Sequence, residues 1–152
     1  MAAFFCDSSA IVKRYIAETG SAWMAATTHP KNNRTYVVRI AFVEVISAIT
    51  RREKGKQIST IDADKARSQF EQDYLNEFQK VEITEVLINE AANLAKKYAL
   101  RGYDAIQLAA ALTTDRERLA VGLSSLTLLS ADTDLNAAAV SEGLTVDNPN
   151  NH

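Results

Sequence analysis

The sequence predicts an α/β fold, a parallel β-sheet with helices on both faces. Short apolar runs alternate with longer stretches of helical period, which is the pattern of βαβ units. A chain of 152 residues with only two Pro, five Gly, no repeat and no low-complexity run has no obvious linker, so one domain is expected. Acidic residues also recur where a strand hands over to a helix, the place where open parallel sheets collect ligands.

Taken in order, "AAFFC" reads as the first strand, and its Cys6, the lone cysteine, as a small buried hydrophobe. "DSSAIVKRYIAE" follows as a helix that Asp7 or Ser8 can cap. After the loop-like "TTHPKNN", "TYVV" is a second β-rich run. It leads into "RIAFVEVISAITRREKG", a helix over residues 40–52 with Gly55 as its stop. Residues 59–78 form a polar amphipathic helix with Phe70, Tyr74 and Phe78 spaced by four on one face. "KVEI" is a short strand, and Thr84 caps the helix "TEVLINEAANLAKKYAL". Asp104 opens the next helix, "RGYDAIQLAAAL". Residues 113–126, "TTDRERLAVGLSSL", read as a loop-like insert with a solvated Asp115. "TLLSA" is a strand, "DTDLNAAAVSEG" a helix and "LTVD" the closing strand. The expected domain is 1–147, with "NPNNH" at 148–152 as a polar tail.

Composition narrows the function. Hydrophobic residues at 47% and charged residues at 24% are ordinary for a globular protein. A net charge of −2 gives no overall attraction to phosphate backbones. The local basic groups, Arg51 to Lys56 and Lys96, Lys97 and Arg101, read as solvated helix faces. No apolar run approaches the roughly 20 residues of a membrane span, and "MAAFFCDSSAIVKRY" lacks a signal-peptide pattern. The expectation is a cytoplasmic protein without a membrane partner.

The acids carry the chemistry. Asp7 follows "FFC", and Asp132 follows "TLLSA" with Asp134 two residues on. Asp104 starts a helix, where a carboxylate can satisfy free N–H groups and still present an oxygen at the sheet edge. Glu44 is harder to explain, because "IAFVEVISAI" surrounds one charge with apolar residues. Either it is a surface group or pairs with Arg39 or Arg51, or it is buried and needs a partner or a metal. At about 4 Å and an effective dielectric near 20, two carboxylates repel by roughly 4 kcal/mol, so a gathered set requires a positive partner. Mg²⁺ suits such oxygen ligands, and metal-assisted hydrolysis of a phosphodiester suits the site. A nucleophile built from Cys6 with His29 or His152 has no local signature, and no Gly-rich phosphate loop is present.

Together "FFCDSSAIVKRYIAE", "FVEVISAI", "LRGYDAIQLAAAL" and "LLSADTDL" resemble the PIN domain family, and most closely its VapC-type toxins, over residues 4 to about 147. The resemblance implies a three-layer α/β/α sandwich around a parallel sheet and a Mg²⁺- or Mn²⁺-dependent ribonuclease. It implies Asp7, Glu44, Asp104 and Asp132 as metal-binding catalytic acids. Ser8 and Ser130 would support them through their hydroxyls, and Asp134 would be a weaker extra acid. Implied partners are an RNA substrate, a second copy of the chain, and an antitoxin whose Arg or Lys reaches the acid pocket. Two other functions compete: a noncatalytic PIN-like scaffold that binds RNA or protein, and a phosphoacceptor receiver domain. The first is disfavoured because none of the four acids is missing. The second is disfavoured because a paired acid run at the first strand and a Lys after the last are absent.

Overall fold

Five short strands, apolar at the centre of the sheet and more polar at its edges, assemble into one parallel sheet: β1 (Ala2–Cys6), β2 (Asn33–Val38), β3 (Gln79–Val81), β4 (Thr127–Leu129) and β5 (Thr145–Asp147). The computed structural model describes all 152 residues. The strand order is β3-β2-β1-β4-β5, and every neighbouring pair is parallel. The chain therefore builds outward from β1 on one side and then returns to β1 on the other. This reversal makes the carboxyl ends of β1 and β4 a topological switch point.

Side chains alternate across the sheet and feed two cores. Ala3, Phe5, Val38 and Leu128 face one helical layer, made of α5 (Glu85–Tyr98), α6 (Gly102–Ala120) and α7 (Thr133–Ser141). Phe4, Cys6, Val37 and Leu129 face the other, made of α1 (Ser8–Ile11), α2 (Ser21–Thr27), α3 (Ala41–Lys54) and α4 (Thr60–Asn76). The result is the expected three-layer sandwich.

Local signals account for most boundaries. Asp7, Ser59, Thr84 and Asp132 each accept a hydrogen bond from an amide of the helix they precede, and Gly55 ends α3. Three differences have physical causes. The first helix lasts four residues before tightening into a 3₁₀ turn at Val12–Arg14. Residues 113–120 are not a loop but the last two turns of α6. Thr114 and Arg118 are buried there, and Arg118 donates to the Ser124 carbonyl at 3.0 Å and the Tyr36 hydroxyl at 3.1 Å. Asp115 is not merely solvated, because it accepts from the Ser125 hydroxyl at 2.7 Å and the Leu126 amide at 2.8 Å. The short helix α2 has no side-chain cap and starts from Gly20 in the left-handed region. A Cβ at Gly20 would collide with the backbone of Pro149, so glycine is required where the C-terminal 3₁₀ turn, Pro149–Asn151, packs. His152 then stacks on Trp23 with ring centroids 4.0 Å apart.

Candidate functional site

A cleft of about 640 Å³ opens at the switch point, and its lining includes Asp7, Glu44, Asp104 and Asp132. These residues come from four separate regions of the chain: the end of β1, the first turn of α3, the first turn of α6 and the turn after β4. Ser8 lies with them in the cleft. Ser130 is buried beneath it. Asp134 is exposed and lines the neighbouring depression, beside Arg101 and Asp104.

Asp7 is almost fully buried and tightly held. The Ser9 hydroxyl donates to Oδ1 at 2.7 Å, the Ala10 amide to the same oxygen at 3.0 Å, and the Ser130 hydroxyl to Oδ2 at 2.8 Å. Burial pushes its carboxyl up to about 6, against the pull of these three donors and with a further push from Asp104. Ser130 serves two acids, since its oxygen also accepts from the Asp132 amide at 3.0 Å. Ser9 ties the β1 and β4 turns together by accepting from the Ala131 amide at 3.0 Å.

Glu44 pairs with neither Arg39, which is bound to Glu82, nor Arg51. Its Oε1 accepts from the Ser8 hydroxyl at 2.9 Å and from the Gln107 amide at 2.8 Å, and the same Gln107 nitrogen reaches Ser8 Oγ at 3.2 Å. Desolvation raises the Glu44 carboxyl, these two donors lower it, and Asp104 raises it again. The capping role expected of Asp104 is absent. Arg101 occupies the N-cap position of α6, and no side chain caps that helix. Asp104 instead accepts from Arg101 Nε at 3.2 Å. Burial and the Asp132 charge raise its carboxyl, partly offset by Arg101. Asp132 caps α7 through Oδ1 with the Leu135 amide at 2.9 Å, and its Oδ2 accepts from Arg101 Nη2 at 3.3 Å.

Sequence reasoning missed Ser9 and Gln107 and read Arg101 as part of a solvated face. The usable signal for Gln107 was its place three residues after Asp104, on the same helical face. Cys6 is buried with its thiol pushed up, so it is no nucleophile.

The donor set fits a hard divalent cation: it is all oxygen, it carries four acids, and three of them are raised by burial and by one another. As placed, no three acidic, His or Cys side chains close on one point tightly enough to grip an ion. Each carboxylate is turned towards a protein donor, and Arg101 stands between Asp104 and Asp132.

The chain matches the PIN domain model over residues 4–141 and belongs to that family. Among curated proteins it is 30% identical over 119 residues to Ribonuclease VapC45 of Mycobacterium tuberculosis (strain CDC 1551 / Oshkosh), covering 78% of this chain and 81% of that one. Among solved structures it resembles VapBC2 from Rickettsia felis bound to a DNA fragment from their promoter, with TM-score 0.63, 12% identity and 96% and 98% of the two chains covered. A toxin–antitoxin complex from Klebsiella pneumoniae is similar at TM-score 0.60 and 19% identity, covering 98% of each chain.

Proposed function

We propose that the protein is a Mg²⁺- or Mn²⁺-dependent endoribonuclease and the toxin of a toxin–antitoxin pair. The observation that carries this is the meeting of four acids from distant parts of the chain in one cleft, with a single guanidinium as their only contacting cation. The curated relative named a ribonuclease supports the reaction, and the neighbour described as a toxin–antitoxin complex supports the partner.

Asp7, Glu44, Asp104 and Asp132 would hold the ion, which when bound supplies Lewis-acid activation of water and offsets charge on the leaving oxygen. The chain's own residues prepare that chemistry. Ser9 and Ser130 fix both oxygens of Asp7, while Ser8 and Gln107 fix Glu44, so these two acids keep their places in the cleft. Arg51, exposed on the lip with no acidic partner, offers a cation to a substrate phosphate. An antitoxin Arg would suit the same acids through charge-assisted bonds.

The test is cleavage of an RNA panel with Mg²⁺, with Mn²⁺ and with EDTA, for the wild type and Asp104→Asn. EDTA and the substitution should each abolish cleavage, with Asp104→Asn still folded because the side chain keeps its size. Cleavage that survives either treatment refutes the proposal.

A further inference from the structure

We propose that Arg101 is the resident counter-cation of the Asp104–Asp132 pair, displaced when a divalent ion enters, and that it thereby sets the affinity of the cleft for that ion. This rests on the metal-binding reading above.

The geometry of oxygens is the first argument. Asp132 Oδ1 is committed to the Leu135 amide at the start of α7, so Oδ2 is the oxygen left for a cation. Arg101 Nη2 holds that oxygen, and Arg101 Nε holds Oδ2 of Asp104. A dication at those two oxygens would face the guanidinium at hydrogen-bond distance, and like charges that close repel strongly. One of the two must leave.

Arg101 is built to be the one that leaves. It stands outside the helix in extended conformation, with φ −63° and ψ 151°, three residues before Asp104. Its side chain is 66% exposed, and it touches each acid through one nitrogen at 3.2–3.3 Å rather than through a two-toothed fork. Such contacts are weak. The Tyr103 ring already lies beside the guanidinium, its centroid 5.1 Å from Cζ, a contact that would keep the freed side chain on the lip. No other cation can substitute. Lys13 and Arg52 are turned to Glu18, and Arg51 touches none of the acids.

The inference separates binding from catalysis, so it is tested by Mn²⁺ binding to the full chain, measured by calorimetry and by the electron paramagnetic resonance of free Mn²⁺. The proteins are wild type, Arg101→Ala, Arg101→Lys and Asp132→Asn. Arg101→Ala should bind Mn²⁺ about tenfold tighter, as expected when two single-nitrogen ion pairs no longer compete. Arg101→Lys should fall between, because an ammonium keeps the charge but cannot reach Asp104 and Asp132 from two separate nitrogens. In EDTA the melting temperature of Arg101→Ala should lie below wild type, and saturating Mn²⁺ should remove the difference. Equal or weaker Mn²⁺ binding by Arg101→Ala, with wild-type binding that Asp132→Asn abolishes, overturns this inference and leaves the metal site standing. No Mn²⁺ binding by wild type or Arg101→Ala overturns both.

Discussion

Gln107 stands one helical turn beyond Asp104 and spends its amide nitrogen on Glu44 and Ser8, while its buried Oε1 has no partner. That nitrogen is one of two donors that keep the Glu44 carboxyl from rising further. Gln107→Leu should therefore raise it, moving the acid limb of the rate–pH profile to higher pH and lowering the rate at pH 7 by roughly 10- to 100-fold, the usual effect of losing a residue that orients a metal ligand. A profile that stays in place would show that Gln107 only fills space. Asp7 gives a second prediction, for the metal-free protein. Its carboxyl titrates at about 6 in the fold against 3.8 ordinarily, so between those values the native state retains a proton that the unfolded chain has lost. Stability then falls as pH rises from about 4 to about 6. Melting in EDTA should show the wild type losing stability relative to Asp7→Asn across that window and running parallel above it. The acids were legible in the sequence because a charge inside "IAFVEVISAI", or just after an apolar run, is costly unless it has a purpose. Gln107 was not, because one neutral amide in "AIQLAA" is cheap on any helix surface and its partners lie 63 and 99 positions away.

Helix α6 shows why an element's end is harder to read than its start. "AIQLAAAL" is apolar enough to announce a buried helix, and Leu108 is fully buried between α5 and the sheet. "TTDRER" then breaks the apolar period, yet the helix continues. Thr114 returns its hydroxyl to the Ala110 carbonyl, and the buried Arg118 finds acceptors in Ser124 and Tyr36, contacts made only after folding. Asp115 ties the following turn to the helix, holding the Leu126 amide just before β4. Asp115→Ala should cost about 1–3 kcal/mol in denaturant unfolding by leaving that amide short of a partner. Leu108→Ala should cost about 2–5 kcal/mol through the cavity it leaves. Asp115→Ala should leave Mn²⁺ affinity unchanged, because it touches none of the cleft acids.

Over the whole molecule, charge is nearly balanced at −2, and the cleft adds little positive potential because Lys13 and Arg52 are already paired. With Arg51 and a released Arg101 as the two available phosphate contacts, single-stranded RNA binding in Ca²⁺ should weaken only about sevenfold between 50 and 200 mM salt. A loss of a hundredfold or more would mean a basic surface other than this cleft. The layered architecture was legible because alternating apolar runs and helical periods admit few arrangements. The strand order was not, because which edge of β1 receives β4 depends on packing across both faces. That order has a consequence in time. β1 pairs with β2, and β2 later with β3, while the other edge of β1 waits for residues 127–129, and Asp132 is the last of the four acids to be made. Synthesis must pass Asp132 before the cleft can exist, so a chain that stops short of β4 lacks the site on which the proposed RNA cleavage depends.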